Sequence, residues 1–371
     1  MAGTTTDPTP GATDRRHPGP LLVTEDPELL DDLLRLCAAA GARPEVHHGV
    51  PARRGGWESA PLVIVGTDAA PRLRGAPRRR GVVLAGRDPD DHAVWRRAVE
   101  IGAEHVLVLP DGEQWLVDRI ADVAEGAGRP AFTIGVLGGC GGAGASTLAC
   151  ALAVTAARSG RRTLLVDADP LGGGLDVLLG GESVRGLRWP DLAGARGRVA
   201  SGALEESLPR MHSLRLLSWH RGERLTVAPE AMRAVLSAAR RGGGAVVLDL
   251  PRSMDEGTAE ALTQIDLGLV VVPARLRAAA AARQVASAAG LLLRDLRVVV
   301  AAPHGRGARP ELPAADVARL LSLPPVGEVP TDPGLAAAPE NGPPPGGEPK
   351  SPLARFCGTL WDRLPADGDP R

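Results

Sequence analysis

The fold of this chain is decided by one glycine-rich stretch, Leu137-Gly-Gly-Cys-Gly-Gly-Ala-Gly-Ala-Ser-Thr147. It follows an apolar run, 132–137, that is typical of a buried strand, and it precedes an alanine-rich run, 148–159, with helical spacing. A glycine-rich turn between a strand and a helix can hold a phosphate, because backbone N–H groups and the helix N-terminus converge on the anion. The stretch therefore predicts a phosphate-binding loop.

The loop fits the P-loop pattern G-x-x-x-x-G-K-[ST] with one exception. The pattern runs from Gly139 through Gly144 to Ser146, and Ala145 occupies the position of its lysine. Lys350 is the only lysine among 43 Lys and Arg residues, and such a bias would favour arginine at position 145 rather than alanine. The main functional question is therefore whether this loop still holds a nucleotide.

Three carboxylates are expected beside the loop. Asp167 and Asp169 follow one apolar run, and Asp249 ends another. Because ligands bind at the carboxyl ends of strands in an open parallel sheet, these side chains should share one crevice with the loop. Asp249 has the form of a Walker B aspartate that positions Mg²⁺ with Ser146, and Asp167 or Asp169 would orient attacking water. For each aspartate alone, a role as a cap or turn former stays open.

The segment 21–124 alternates short apolar runs with helical spacing, which indicates a parallel sheet with helices on both faces. Five strands, with the acidic pair Glu25 and Asp26 after the first, resemble a response-regulator receiver domain. The phosphorylation residues are mostly missing: the third strand ends at Gly66, with Asp68 two positions late, and leucine replaces the lysine before the fifth strand's proline. We interpret this half as a pseudo-receiver, a docking or dimerisation module; a generic doubly wound domain is the alternative.

The second half resembles the MinD/ParA family at three motifs. Cys140-Gly-Gly-Ala-Gly-Ala-Ser-Thr147 matches the deviant Walker A of that family, K-G-G-x-G-K-[ST]-[ST], at every position except the two lysines. Leu164-Leu-Val-Asp-Ala-Asp-Pro170 resembles its second aspartate motif, and Val246-Val-Leu-Asp-Leu-Pro251 resembles its Walker B motif. With a receiver-like domain in front, the chain is similar to the actinobacterial CpaE-like group, whose members are named septum site-determining protein Ssd.

The resemblance implies a P-loop NTPase fold and a regulator of septum-site determination in cell division or of Tad/Flp-type secretion positioning. It assigns ATP to the loop and Mg²⁺ to Ser146 and Asp249, and the nucleotide-binding residues are Gly139, Gly141, Gly142, Gly144, Ser146 and Thr147. Cys140 and Ala145 replace the family's two lysines, and Ala301-Ala302-Pro303 replaces its adenine-contacting asparagine. Losing one such cation typically costs about 3 kcal/mol of transition-state stabilisation. We therefore expect weak or absent ATP binding and inefficient hydrolysis.

Two alternatives stay open. A slow but active ATPase switch would need an arginine, such as Arg252 or Arg275, in place of the missing lysines. A ParA-like non-specific DNA binder would use arginines of one region, namely Arg275, Arg277, Arg283, Arg294 and Arg297. A net charge of −1 gives no general attraction to nucleic acid, and a solvated helix face is the favoured interpretation of these arginines.

The rest of the composition indicates an intracellular protein without structural metal. Four scattered cysteines form no C-x-x-C pair or Cys/His cluster, so neither a zinc site nor a disulfide framework is indicated. The first residues lack an apolar signal core, and no run is long enough to span a bilayer. A cytoplasmic protein is expected, with partners from the division or secretion machinery and a homodimer as an option; DNA is not an expected partner.

The expected order of segments ends in an amphipathic helix. We expect a disordered start at 1–20, a receiver-like domain at 21–124, a linker at 125–130, a MinD/ParA-like P-loop domain at 131–330, a Pro/Gly linker at 331–351 and the helix at 352–365. An apolar stripe lies on one face of that helix: Leu353, Phe356, Cys357, Leu360, Trp361 and Leu364. The stripe either docks on the body of the protein or contacts the inner face of the membrane peripherally.

Overall fold

The computed structural model describes residues 19–47, 54–124, 130–220, 222, 226–302, 311–334 and 342–364. Three parts of the predicted segments lie outside the described residues: 1–18 of the disordered start predicted for 1–20, 125–129 of the first linker and 335–341 of the Pro/Gly linker. The chain divides into two compact units, Met1–Ala127 and Gly128–Arg371. Each unit has its own sheet and its own cores.

The N-terminal unit is a parallel sheet of five strands with helices on both faces. Its strands are β1 (Leu21–Val23), β2 (Glu45–His47), β3 (Val63–Gly66), β4 (Val82–Gly86) and β5 (His105–Val108), in the order β2-β1-β3-β4-β5. Its helices are α1 (Pro27–Ala39), α2 (Arg54–Ser59), α3 (Val94–Ile101) and α4 (Glu113–Ala124), and a 3-10 turn covers Ala70–Leu73.

The central strands of this unit are buried because their side chains alternate between two apolar cores. Leu21 and Val23 of β1 face the core that contains α3. Leu22, between them, faces the opposite core, which contains α1 and α4. This alternation requires apolar residues at every position, which is why the strand reads as a continuous apolar run.

The described residues of the C-terminal unit form an eight-stranded sheet in the order β13-β12-β11-β6-β10-β7-β9-β8, in which β8 is antiparallel to β9 and the other pairs are parallel. Its strands are β6 (Phe132–Gly138), β7 (Thr163–Asp167), β8 (Arg210–Met211), β9 (Leu214–Leu217), β10 (Ala245–Leu250), β11 (Leu267–Pro273), β12 (Leu296–Ala301) and β13 (Pro325–Val329). Its helices are α5 (Ala145–Arg158), α6 (Leu175–Leu178), α7 (Trp189–Leu192), α8 (Ser201–Ser207), α9 (Pro229–Arg241), α10 (Glu256–Thr263), α11 (Leu276–Gly290), α12 (Ala314–Leu321) and α13 (Pro352–Arg363).

The glycine-rich loop lies at the middle of this sheet. It joins β6 to α5, and β6 pairs in parallel with β10 on one side and β11 on the other. The loop therefore opens at the carboxyl edge of the sheet, where the side chains that follow β7 and β10 also emerge.

The last helix docks on the loop helix. The Trp361 indole Nε1 donates a hydrogen bond of 3.0 Å to the Leu152 carbonyl of α5. The segment before α13 also packs there, since Arg158 Nη1 donates to the Gly346 carbonyl at 2.8 Å. The apolar stripe is buried in the same core as α5 through Leu353, Cys357, Leu360, Trp361 and Leu364. The stripe thus packs on protein, and among the described residues no helix has the length and apolarity needed to cross a membrane.

Candidate nucleotide-binding site

The loop needs glycine at defined positions for two different reasons. Gly142 and Gly144 have φ angles of +68° and +90°, in the left-handed region that glycine adopts without a steric penalty. Gly139 is required for space, because a Cβ atom on it would lie 2.6 Å from the Ala282 Cβ and 2.9 Å from the Val272 side chain. Gly139 N also donates to the Val271 carbonyl at 2.8 Å, which fixes the start of the loop against β11.

The start of α5 offers backbone donors to an anion. The capping residue, Gly144, supplies no side-chain cap, and the first intrahelical bond is donated by Leu148 N to the Gly144 carbonyl at 3.0 Å. The amides of the preceding first turn have no intrahelical acceptor, and they carry the positive end of the helix dipole. The end of the loop therefore retains the elements that bind a phosphate.

Ser146 and Asp249 lie together, and both carry oxygen atoms of the kind that bind Mg²⁺. The Ser146 hydroxyl lies close enough to the Asp249 carboxylate to affect its ionisation. Burial raises the pKa of Asp249 to about 6, the nearby Ser146 hydroxyl lowers it, and the charge of Asp169 raises it further. A cation that neutralises this buried carboxylate fits the donor set. Among the described residues no group of three or more His, Cys, Asp or Glu could hold a metal, so phosphate and water oxygens would complete the coordination.

The Asp167 carboxylate accepts hydrogen bonds from the backbone that follows β7. It is the register partner of Asp249 in the sheet, and only 1% of it is exposed. Its two carboxylate oxygens accept backbone hydrogen bonds from Leu175 N at 3.0 Å and from Asp169 N at 3.2 Å. Burial raises the pKa of Asp167 to about 8, the bond from Leu175 lowers it, and the charge of Asp249 raises it. These contacts are those of a turn former, the alternative to water orientation.

Asp169 is the more accessible of the two aspartates after β7. Its Oδ1 accepts a hydrogen bond of 2.9 Å from Leu171 N, and the residue is half-buried at the carboxyl edge of the sheet. It acts on Asp249 through its charge. The water-orienting role that the sequence suggests for Asp167 and Asp169 stays a prediction, and Asp169 has the more accessible carboxylate of the two.

Two arginines lie near the loop, and each follows a different strand of the sheet. The two lysine positions, Cys140 and Ala145, are half-buried. Arg252 lies two residues beyond β10, and its Nη2 would be 4.0 Å from a Cβ atom on Gly141. Arg275 lines a cavity of about 690 Å³ together with Cys140, Gly141 and Gly142. Both arginines considered as substitutes for lysine therefore lie on the loop side of the sheet.

A second cavity opens at the other end of the loop. Its volume is about 240 Å³, and Gly144 and Thr147 form one wall. The carboxyl ends of β12 and β13 form the opposite wall with Ala301, Ala302 and Asp332. Small side chains therefore stand where an adenine-contacting asparagine was expected, and they leave a space of the size that a base requires.

Sequence reasoning missed one residue that organises this edge. Trp189 is fully buried, and its Nε1 donates a hydrogen bond of 2.6 Å to the Asp167 carbonyl. Its ring lies 6.0 Å from that of Trp219. The signal available in the sequence was its rarity, since aromatic residues make up only 2% of the chain.

The receiver-like site of the N-terminal unit is closed by its own side chains. Asp68 Oδ1 accepts a hydrogen bond of 2.8 Å from the Thr24 hydroxyl, and its Oδ2 accepts one of 2.7 Å from Glu25 N. Glu25 in turn pairs with Arg72 at 2.7 Å. A Cβ atom on Gly66 would lie 2.2 Å from Asp68 Oδ1, so glycine at the strand end makes room for this carboxylate.

Comparison with known families matches both units. Residues 23–131 match the family model described as "Rv3660c-like, CheY-like N-terminal domain". Residues 134–345 match the "CobQ/CobB/MinD/ParA nucleotide binding domain". The uncharacterized protein Rv3660c of Mycobacterium tuberculosis is 41% identical over 326 residues, which cover 85% of this chain and 90% of that protein.

Two solved structures share the fold of the C-terminal unit. A ParA family ATPase from Chlorobium tepidum aligns with a TM-score of 0.56 at 17% identity, covering 62% of this chain and 98% of its own. The septum site-determining protein MinD of Pyrococcus horikoshii, complexed with Mg-ADP, aligns with a TM-score of 0.51 at 20% identity, covering 62% and 95%.

These matches confirm the α/β fold class, the receiver-like character of the first unit and the MinD/ParA family resemblance of the second. The generic doubly wound alternative for the first unit is set aside by the CheY-like match. The chain belongs to the CobQ/CobB/MinD/ParA nucleotide-binding family, with a CheY-like N-terminal domain of the Rv3660c type in front.

Proposed function

We propose that this chain is a MinD/ParA-like regulatory protein that binds Mg²⁺-ATP weakly and acts without depending on its hydrolysis. It would work through protein contacts in septum-site determination or in Tad/Flp-type secretion positioning. The observation that carries the proposal is a loop that keeps its glycine geometry and its Ser146–Asp249 pair but has Cys140 and Ala145 in place of both lysines.

Nucleotide binding would depend on the groups that remain. The amides at the start of α5 and the loop glycines, Gly139, Gly141, Gly142 and Gly144, would hold phosphates, with Ser146 and Thr147 as hydroxyl donors. Mg²⁺ would be held by Ser146 and, through water, by Asp249. When bound, the ion would bridge phosphate oxygens and neutralise their charge.

The absence of both motif lysines disfavours efficient hydrolysis. A cation aimed at the transferring phosphate is usually a large part of catalysis, and neither lysine is present. Asp167 is occupied by two backbone amides, which leaves Asp169 as the candidate for orienting water. Occupancy of the site, rather than turnover, would therefore set the state of the protein.

The cellular role is supported by the relatives. The MinD protein of Pyrococcus horikoshii is a septum site-determining protein, and the receiver-like unit in front is a fold suited to docking or dimerisation. We propose a cytoplasmic protein that meets division or secretion proteins, with a homodimer as one mode of assembly. Since the apolar stripe of α13 packs against α5, peripheral membrane contact would need another surface.

Calorimetry of the full chain with Mg²⁺-ATP tests the binding step. We expect an affinity in the micromolar range, and a loss of about 10- to 100-fold for Asp249→Ala, the size usual for a partner that orients a metal site through its outer shell. Asp316→Ala, on α12 and paired with Arg319, is the matched control and should bind as the wild type does. No heat on titration of the wild type would refute nucleotide binding.

Phosphate release distinguishes the proposal from a slow ATPase, which the position of Arg252 beside Gly141 favours as the second candidate. We expect release by the wild type to equal release by Asp169→Ala. Turnover that the Asp169→Ala variant abolishes would establish the ATPase instead.

DNA binding has less support, because Arg297 is paired with Asp295 at 2.8 Å.

A further inference from the structure

We propose that Arg252 contacts the outermost phosphate of the bound nucleotide and gives this chain a preference for a triphosphate over a diphosphate. The inference rests on the proposed function, since it assigns a role at the same site. It differs from a general substitution of arginine for lysine, because it places the charge at one end of the loop and predicts which ligand loses affinity.

The position of Arg252 follows from the sheet order. β10 is the parallel neighbour of β6, so the chain that leaves β10 through Pro251 runs beside the loop that leaves β6. The Arg252 side chain turns toward that loop, with Nη2 at 4.0 Å from the position of a Cβ atom on Gly141. This distance is that of an ordinary van der Waals contact, so the guanidinium lies beside the loop backbone.

The charge of Arg252 is available to a ligand. The residue is exposed, and within the described part of the chain it forms no ion pair. A guanidinium offers a planar pair of N–H donors that matches two phosphate oxygens, and such charge-assisted contacts are among the stronger ones in proteins. A contact of this kind would replace a lysine at the loop without any change in the loop itself.

The two cavities lie at opposite ends of the loop, which suggests how a nucleotide would be oriented along it. The cavity of about 240 Å³ lies at the end formed by Gly144 and Thr147. The larger cavity, about 690 Å³, lies at the end formed by Cys140, Gly141 and Gly142. A nucleotide with its base in the smaller cavity would place its inner phosphates over the start of α5 and its last phosphate near Gly141. Arg252 therefore lies at the end where a triphosphate differs from a diphosphate.

The test is calorimetry of the full chain with Mg²⁺-ATP and, separately, Mg²⁺-ADP. For Arg252→Ala we expect about 10- to 100-fold weaker ATP binding, the loss typical of hydrogen bonds to a charged group, and less than about a threefold change for ADP. Arg252→Lys should recover part of the ATP affinity. Arg319→Ala, an exposed arginine on α12, is the matched control and should leave both affinities unchanged.

Each other outcome overturns the inference in a recognisable way. If Arg252→Ala keeps the wild-type ratio of ATP to ADP affinity, Arg252 does not contact the outermost phosphate, while nucleotide binding itself stands. If ATP and ADP affinities fall equally and the melting temperature of the apo protein falls with them, Arg252 is structural. If the wild type binds neither nucleotide, the inference and the proposed function fail together.

Discussion

The two units each carry a site at the carboxyl edge of a parallel sheet, and each lacks the residue type its family depends on. In the N-terminal unit, Asp68 folds back over Gly66 and is held by Thr24 and Glu25, so the site is filled by its own side chains. In the C-terminal unit the loop stays open between two cavities. The difference teaches that a missing key residue does not by itself abolish a site; what matters is whether neighbouring groups close over it.

The largest expected effect comes from the buried carboxylate of the open site. Burial raises the pKa of Asp167 to about 8, above the value of 3.8 that it has in an unfolded chain. The folded state therefore holds this proton more tightly, so the stability it contributes is fully present below pH 4 and is lost as the pH rises to about 8. Over that window the unfolding free energy of the wild type should fall relative to Asp167→Asn by an amount on the order of 5 kcal/mol.

Urea unfolding of both proteins at several pH values, in chelator and without nucleotide, measures this change. Asp167→Asn is the reference protein, because its amide side chain does not titrate in this pH range. A free-energy gap between the two proteins that stays constant from pH 4 to pH 8 would show that the carboxylate is better solvated than its contacts indicate.

The second effect concerns the close packing that keeps the loop in place. Gly139→Ala would set a Cβ atom against Ala282 and Val272, so we expect a loss of about 2 kcal/mol in the stability of the C-terminal unit. Gly173→Ala, where nothing lies within 4 Å of the new Cβ atom, is the control and should change stability little. Urea denaturation checks both, and equal stabilities would mean that the loop moves away from β11 at no cost.

The smallest effect tests the closed site. Asp68→Ala removes the acceptor for the Thr24 hydroxyl and the Glu25 amide, for which we expect a loss of about 1 kcal/mol in the N-terminal unit. The exposed Asp90→Ala is the control. Melting of the N-terminal unit provides the readout, and nucleotide affinity should be the same in both variants. A stability gain for Asp68→Ala would mean that the carboxylate is strained there, as in a site kept open for a ligand.

The strands that carry the site could be read from the sequence, but the edges of the sheet could not. β6, β7, β10, β11 and β12 are largely apolar, because strands buried on both faces need apolar residues at most positions. β13 (Pro325–Val329) was not predicted, since it is an edge strand with exposed and half-exposed residues. The short helices α6, α7 and α8 were missed as well, because four to seven residues give little periodicity.

The sequence predicted which residues lie at the candidate site but only partly what each of them does there. Ser146 and Asp249 were expected together and do lie together, which remains consistent with a shared Mg²⁺. Asp167 was offered for catalysis, but its oxygens are used by backbone amides of residues 169 and 175. Such a distinction depends on where the chain turns after β7, and no local pattern encodes it.

The sequence alone determined the fold class, the family and the inventory of the loop, because strand, loop and helix patterns and short motifs are local properties of the chain. The tertiary structure alone decided which distant groups meet: Arg252 beside Gly141, Trp189 on the Asp167 carbonyl and Trp361 on the Leu152 carbonyl. These contacts join residues 22 to 209 positions apart. They depend on strand order and helix packing, which bring side chains together irrespective of their distance along the chain, and they determine whether a site with missing residues is closed or open.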